Sequence, residues 1–348
     1  MKYYLLLLLL AFDLLSCEKE EIGNVNTLSG SLAGSGFFLL NEGNYMSGNG
    51  SLSFLPGDGS ILHNDIFQAI NGRPLGDVAN HCLVKGDTCF IVVNNSGKVE
   101  VIESSTGRSL KTITGLVSPR QITKVSNHKA YVSSLYSDQI SIIDLESCEL
   151  KGKISMRRTS EAILLSSGKV FVSNWASGKE IIVINPDTDQ VIDSLVTGAE
   201  PESMVVDGDG KIWVLCTGGY SGKYNPELVV FNPADLNIIK RIVFSPGNNA
   251  PSSLVINNKR DSIYYIAGHV WSMNTGSTEL PSNPLIRSEG RTFYRLCISP
   301  SNGNIMVTDA RDYQLPGYLL VFSPGGNLKK SYKAGIIPGY ICFKEKGN

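Results

Sequence analysis

Short apolar runs that end on a small or polar residue recur along the chain, spaced by about 40 to 53 residues. Seven copies are present: Phe37–Asn41, Phe90–Asn94, Tyr131–Ser134, Phe171–Asn174, Ile212–Cys216, Ile263–Ala267 and Ile305–Asp309. Their length and their β-branched and aromatic residues indicate strands rather than helices. A repeat with room for four strands is typical of one blade of a β-propeller.

Each run lies in the same frame of strands and turns. A short strand and a tight hairpin turn precede it, as in Ser203–Val206 followed by Asp207–Gly210. A third strand such as Ile181–Asn185 follows, and then an outer strand such as Gln190–Leu195, in which apolar and polar residues alternate. Alternation is weak on the inner strands, which fits blades whose inner strands are covered on both faces.

The two ends of the repeat predict a closed ring. The first copy has no first strand before it, whereas Pro338–Phe343 resembles a first strand with no blade after it. Pairing the two removes exposed strand edges, while a solenoid would leave its ends apart and need caps. We therefore predict an all-β fold, a seven-bladed β-propeller over residues 36–348 that is closed by pairing of the C-terminal strand with the N-terminal blade. Leu280–Pro284 interrupts the pattern and predicts a weak outer strand in the sixth blade.

The positions of proline and of the turns in the repeat resemble those of the YVTN/YncE-like propellers. A proline precedes the first strand at Pro119, Pro201 and Pro251, and Asn-Pro turns such as Asn185-Pro186 precede outer strands. The resemblance covers most of the chain from about Gly36. It implies the same architecture and identifies no activity by itself.

The N-terminus has a different pattern. Lys2 precedes an apolar run from Leu5 to Phe12 that is too short to cross a bilayer and fits a signal peptide. Leu14-Leu15-Ser16-Cys17 resembles the lipobox of bacterial lipoproteins, which implies a signal peptide over residues 1–16 and acylation of Cys17. Residues 17–35 are then expected to form a lipidated flexible tether. An ordinary secretory signal with a chance cysteine is the alternative.

The residues after the lipobox indicate where in the cell the protein is located. Lys19-Glu20-Glu21 resembles the surface-export signal of lipoproteins from Bacteroides-type Gram-negative bacteria. The resemblance implies a protein on the outer membrane that faces the cell exterior. Two or three acyl chains on Cys17 would anchor it stably in the membrane lipid.

Composition and motifs narrow the classes of function. The net charge is −1 and no block of basic residues is present, so we expect no nucleic-acid partner. The four histidines lack a metal-binding spacing, and no catalytic motif is present, so we predict no metal, no cofactor and no enzyme activity. Five of the cysteines after Cys17 lie in or beside apolar strands and are expected to be buried thiols, with one fortuitous disulfide as the alternative.

Strand direction alternates within a blade, so the starts of the first strands and the loops between second and third strands share one face. We call it the top face. The ligand-binding residues predicted on it are Asn44, Tyr45, Asn95, Arg120, Tyr136, Glu161, Trp175, Glu202, Tyr220, His269, Arg295, Arg311 and Tyr313. Aromatic rings beside carboxamides and charges suit a large, flat, partly polar ligand. Glu161 and Glu202 are also candidates for paired carboxylate chemistry, although a polar channel lining explains them more simply.

Taken together, these features resemble the surface cobalamin-binding lipoproteins of the BtuG type. The resemblance implies that the propeller captures cobalamin or another corrinoid without chemistry and delivers it to a TonB-dependent outer-membrane transporter. Two alternatives remain. One is a propeller that binds a protein or a glycan, and the other is a lyase or hydrolase that depends on Glu161, Glu202 or His269.

Overall fold

The computed structural model describes residues 30, 32–219, 222–245 and 250–346. The predicted signal peptide, the predicted acylation site Cys17, most of the predicted tether and Tyr220 lie outside the described residues. Leu32, near the end of the predicted tether, is described, and its side chain is fully buried in a cluster that includes Phe67. Contact with the propeller therefore begins at least four residues before the first strand.

The described residues form seven antiparallel sheets, which are the blades. Blade 1 consists of β1 (Gly36–Asn41), β2 (Ser51–Pro56) and the innermost strand β26 (Pro338–Lys344). From inside outward, blade 2 consists of β3 (Ala79–Lys85), β4 (Thr88–Val93), β5 (Lys98–Glu103) and β6 (Ser109–Ile113). Blade 3 consists of β7 (Pro119–Lys124), β8 (Lys129–Ser134), β9 (Gln139–Asp144) and β10 (Glu149–Ser155). Blade 4 consists of β11 (Ile163–Ser166), β12 (Lys169–Ser173), β13 (Glu180–Asn185) and β14 (Gln190–Val196). Blade 5 consists of β15 (Pro201–Val206), β16 (Ile212–Cys216), β17 (Glu227–Phe231) and β18 (Ile238–Val243). Blade 6 consists of β19 (Ser252–Ile256), β20 (Ser262–Ala267) and β21 (His269–Asn274). Blade 7 consists of β22 (Phe293–Ile298), β23 (Ile305–Asp309), β24 (Pro316–Phe322) and β25 (Leu328–Ile336).

The ring closes as the sequence predicts. Strand β26 pairs antiparallel with β1, with Phe37 opposite Phe343 and Leu39 opposite Ile341. The innermost strands contact one another in the circular order β26, β3, β7, β11, β15, β19, β22 and back to β26. The seven-bladed propeller and its closure by the C-terminal strand are therefore confirmed.

Blades 1 and 6 lack a regular outer strand. In blade 6 a single bridge between Val270 and Ile286 stands in its place, which confirms the predicted weakness of that strand. In blade 1 the expected fourth strand is reduced to a bridge between Phe54 and His63, after which the chain forms helix α1 (Ile66–Asn71). The helix buries Ile66 in the adjacent apolar cluster, so it covers the blade by packing rather than by strand pairing.

The hydrophobic core consists of seven clusters, each between two neighbouring blades. Second strands such as β12 are almost wholly buried, because a blade covers each face, whereas the outer strand β14 is exposed along most of its length. Aromatic pairs span the boundaries between blades, as between Phe171 and Phe231, whose ring centroids lie 5.6 Å apart. No helix among the described residues is long and apolar enough to span a bilayer.

Candidate functional site

A β-bulge near the channel mouth is shared by most of the innermost strands. The strand register shifts there in the pairing of β3, β7, β15, β19, β22 and β26. A bulge adds a residue to one strand and redirects its side chain. In β22, for example, Tyr294 and Arg295 together lie opposite Thr308, and both side chains reach polar partners in the channel. The bulges thus place polar residues around the mouth of the channel.

Hydroxyl groups at the ends of second strands bind the amide groups at the bulges. The Ser133 hydroxyl accepts a hydrogen bond from the Gln121 amide at 2.9 Å, and the Thr308 hydroxyl accepts one from the Arg295 amide at 3.0 Å. Buried amides need such partners, because an unpaired one costs as much as a lost hydrogen bond. This need explains why these two apolar runs carry a hydroxyl residue next to their last position.

Arg120 and Glu161 form a bidentate ion pair between blades 3 and 4. The Arg120 Nε and Nη2 atoms each lie 2.7 Å from a Glu161 carboxylate oxygen, and Nη1 donates to Asn80 Oδ1 at 2.9 Å. The two charged side chains are only 14% and 7% exposed. Burial lowers the pKa of Arg120, but the Glu161 carboxylate outweighs it and holds the pKa above its ordinary value. The guanidinium is therefore charged, and its bidentate contact with Glu161 fixes its orientation.

A second ion pair spans the channel from blade 7 to blade 5. Arg295 Nη1 lies 3.4 Å from Glu202 Oε1, and the other oxygen of Glu202 accepts a hydrogen bond from the Ser253 amide at 3.0 Å. Ser253 belongs to blade 6, which lies between the two charged residues in the ring. The ion pair and the hydrogen bond of Glu202 thus connect blades 5, 6 and 7.

Glu42 completes the cluster from the loop between β1 and β2. Its carboxylate accepts a hydrogen bond from the Tyr294 hydroxyl at 3.0 Å. Burial by surrounding protein atoms raises the pKa of Glu42 above its ordinary value, although Arg295 and Arg120 oppose the shift. We call Glu42, Asn80, Arg120, Glu161, Glu202, Tyr294 and Arg295 the mouth cluster.

The innermost strands of blades 1 and 2 contact each other through an aromatic pair. The His81 ring lies 4.0 Å, centroid to centroid, from the Tyr340 ring. Burial and the nearby Arg120 charge lower the pKa of His81 to about 3, so this histidine is neutral at physiological pH. The six cysteines in the described residues are free thiols, so no disulfide forms among them.

Exposed aromatic side chains project from the top loops around the mouth. Tyr45 is 68% exposed and Tyr136 is 75% exposed, while Tyr224 and Tyr313 are also exposed. Each belongs to a loop between a second and a third strand. We call these four tyrosines the aromatic collar. Exposed rings around a polar centre form a surface that can bind a ligand broader than a single pocket.

Three predicted ligand-binding residues have structural partners in the top loops. Asn44 Nδ2 donates to the Tyr313 carbonyl oxygen at 2.8 Å, which ties blade 1 to blade 7. Asn95 Nδ2 donates to Asp77 Oδ2 at 2.6 Å. The Arg311 amide donates to Asp309 Oδ1 at 2.9 Å, which stabilises a loop in which Arg311 has a positive φ of 52°. The Arg311 guanidinium remains exposed on the top face.

Trp175 and His269 lie apart from the mouth cluster. The indole nitrogen of Trp175 is buried and has no hydrogen-bond partner among the described residues, and its ring is partly exposed in the loop after β12. The His269 side chain lines a cavity at the outer part of blade 6. The structure therefore brings together Arg120, Glu161, Glu202 and Arg295, but not these two residues.

The hairpin from Asp207 to Lys211 is a structural turn. One oxygen of Asp207 accepts hydrogen bonds from the Asp209 and Lys211 amides, and the other accepts from the Trp213 indole at 2.8 Å. Among the described residues no group of three or more histidine, cysteine or acidic side chains is arranged to hold a metal ion.

Known protein structures include many propellers that resemble this fold. A quinonprotein alcohol dehydrogenase-like protein from Bacteroides thetaiotaomicron superimposes with a TM-score of 0.69 at 15% identity, over 90% of this chain and 78% of that one. A protein from Bacteroides fragilis, provisionally named as a 6-phosphogluconolactonase, gives a TM-score of 0.65 at 12% identity, over 89% and 98% of the two chains. A functionally unknown protein from Desulfotomaculum acetoxidans gives 0.67 at 13% identity, over 89% and 99%. At these identities the similarity establishes the fold alone.

Sequence comparison defines the family of the chain. No curated protein gives a significant match to the sequence. A family model described as a domain of unknown function matches residues 35–310, which include every strand from β1 to β23. The chain belongs to this family, DUF5074.

Proposed function

We propose that this protein is a surface lipoprotein that captures a large, amide-bearing small molecule on its top face, specifically a corrinoid such as cobalamin. It then delivers the ligand to a TonB-dependent outer-membrane transporter. The observation that carries the proposal is the aromatic collar around the mouth cluster. Tyrosine rings supply apolar contact area with little loss of conformational entropy, and the polar groups at the centre can hydrogen-bond to amides.

The charges at the mouth favour binding over catalysis. The Arg120 guanidinium is occupied by Glu161 and Asn80, and Glu202 is held by Arg295 and an amide of blade 6. A general acid or base must reach the proton that it transfers, and paired, rigid side chains are poorly placed to do so. We therefore propose that this face binds a ligand and releases it chemically unchanged.

Anchoring and delivery rest on the N-terminal sequence. Acylation of Cys17 would attach the propeller to the outer membrane through residues 17–35, with the top face free to meet a ligand and a transporter. Radiolabelled palmitate incorporation that is lost in Cys17→Ala, together with protease accessibility on intact cells, would test both the anchor and the surface location.

Calorimetric titration with cyanocobalamin tests the ligand directly. The chain from Glu18 onward should bind it with one-to-one stoichiometry. Tyr136→Ala should weaken binding several-fold without changing stability, because the exposed ring makes no hydrogen bond among the described residues. The matched control is Ile192→Ala, an exposed apolar residue on the outer strand of blade 4, which should bind normally.

Two results would redirect the proposal. No heat with cyanocobalamin at high micromolar concentration would refute corrinoid capture and favour a protein or glycan ligand for the same collar. Turnover of a small-molecule substrate that is lost in Glu202→Gln or His269→Ala would instead favour the lyase or hydrolase alternative.

A further inference from the structure

A cavity replaces the missing outer strand of blade 6. The segment Leu280–Pro284 leaves a space of about 470 Å³ between the outer part of blade 6 and Phe244 of the neighbouring blade. Phe244 directly follows the outermost strand of blade 5, so this rim cavity lies on the outer side of the propeller, away from the channel. It is therefore distinct from the mouth cluster and from the aromatic collar.

Aromatic rings, prolines and polar side chains together form the walls of the rim cavity. Phe244 and Tyr265 pack edge to face with centroids 5.3 Å apart. The Trp271 indole is fixed by a 3.1 Å hydrogen bond from Nε1 to the Ala267 carbonyl oxygen. Pro281 and Pro284 form part of the opposite side. Rings held in this way need little ordering on binding, so the cavity is preformed for an apolar or aromatic group.

Three polar groups of the wall can donate hydrogen bonds. Tyr265 is 1% exposed, and its hydroxyl has no hydrogen-bond partner within the described part of the chain. His269 Nδ1 accepts a hydrogen bond from the Ser288 amide at 3.1 Å, so the neutral ring carries its proton on Nε2. Arg287 is exposed and makes no ion pair with any described residue.

The strand register brings these three donors to one side of the cavity. Tyr265 lies opposite Trp271 in the pairing of β20 and β21, and His269 is two residues from Trp271 on the same face. The bridge between Val270 and Ile286 places Arg287 next to His269 across the edge of the blade. None of the described lining residues is a carboxylate, so the local charge favours an anion.

We propose that the rim cavity binds an aromatic carboxylate. The ring of the ligand packs against Trp271 and the prolines, and its carboxylate accepts hydrogen bonds from Arg287, His269 and the Tyr265 hydroxyl. A guanidinium bound to a carboxylate forms one of the stronger hydrogen bonds in proteins. The site goes beyond corrinoid capture, since it uses neither the aromatic collar nor the mouth cluster.

Binding of 2-naphthoate to the chain from Glu18 onward tests the proposal, measured by calorimetry and by quenching of tryptophan fluorescence. We expect saturable one-to-one binding that cyanocobalamin does not displace. Arg287→Gln should weaken binding about tenfold or more, because a charge-assisted hydrogen bond is lost. Arg291→Gln is the matched control, since this arginine pairs with Glu289 outside the cavity and should leave affinity unchanged.

A second variant separates binding from folding. Tyr265→Phe removes only a hydroxyl that has no hydrogen-bond partner among the described residues, so the melting temperature should hold or rise while affinity for 2-naphthoate falls several-fold. The neutral analogue 2-naphthamide should bind at least about tenfold more weakly than the acid. Absence of saturable binding, equal affinity for acid and amide, or wild-type affinity in Arg287→Gln would each overturn the proposal. Displacement by cyanocobalamin would overturn its separation from the top face.

Discussion

Breaking the ion pair between Arg120 and Glu161 tests how the channel mouth is held together. Replacing Arg120 by methionine leaves Glu161 buried without its guanidinium and removes the donor to Asn80. Loss of one partner of a buried pair costs about 3–5 kcal/mol. Because both side chains keep slight contact with solvent, we expect the lower end, about 3 kcal/mol.

The opposite substitution should cost less. In Glu161→Gln the charge of Arg120 remains, and the Glu42 carboxylate, which also acts on Arg120, partly compensates it. We expect a loss of about 2 kcal/mol, with the double variant less destabilised than the sum of the single variants by at least about 1.5 kcal/mol.

Thermal unfolding followed by tryptophan fluorescence measures these effects. The unfolding entropy of a domain of this size is about 0.6 kcal/mol/K, so a loss of about 3 kcal/mol lowers the melting temperature by about 5 °C. The control is the surface pair of Arg108 and Glu103, which are 67% and 27% exposed and whose disruption should cost less than about 1 kcal/mol. If the single effects add within about 0.5 kcal/mol, or if Arg120→Met matches the surface control, the pair does not hold the mouth together.

Three further predictions concern individual buried groups. Between pH 6.5 and about 3 the unfolded chain takes up a proton at His81 that the folded chain does not, so stability decreases as the pH is lowered through this window. The melting temperature of His81→Gln should therefore decrease less than that of the wild type over the same pH range. Burial raises the pKa of Glu42, so its ionisation destabilises the folded state as the pH rises above 4.5. Glu42→Gln should therefore be at least as stable as the wild type at neutral pH, and its melting temperature should depend less on pH. Trp175→Phe removes a buried N–H that has no hydrogen-bond partner among the described residues, and it should cost less in urea unfolding than Trp213→Phe, which leaves Asp207 Oδ2 without its indole donor while Oδ1 keeps its two amide donors; an equal cost would contradict the role of these hydrogen bonds.

The fold could be predicted from the sequence because each blade repeats the same pattern of burial. Second and third strands are covered by neighbouring blades on both faces, so they are apolar runs that stand out in the sequence. Closure was predictable because Pro338–Phe343 has the composition of a first strand and no blade of its own. The absence of a regular outer strand in blade 1 could not be predicted, since the residues before His63 do not reveal that a helix covers the blade.

The mouth cluster could be predicted only in part. The first residues of the innermost strands identified Arg120, Glu161, Glu202 and Arg295. The contributions of Tyr294 and Asn80 depend on bulges, which break the two-residue alternation from which side-chain direction is normally predicted. A possible signal was the hydroxyl residue at the end of the second strand, whose partner is an amide at the bulge.

The contacts of the mouth cluster connect several blades and make it a rigid part of the top face. Its ion pairs and hydrogen bonds join blade 3 to blade 4, blade 7 to blade 5 and blade 7 to blade 1, so the polar centre is fixed by the closure of the ring. A ligand placed over it meets groups whose orientation is already determined, and little entropy is lost there. Two of the collar rings are packed, since Tyr224 lies under the Lys179 ammonium group at 3.3 Å and Tyr313 lies edge to face on Tyr294. Tyr45 and Tyr136 are largely exposed in their loops. Substitution of Tyr45 or Tyr136 should therefore alter affinity for the proposed ligand while stability is retained, whereas substitutions in the mouth cluster should alter both together.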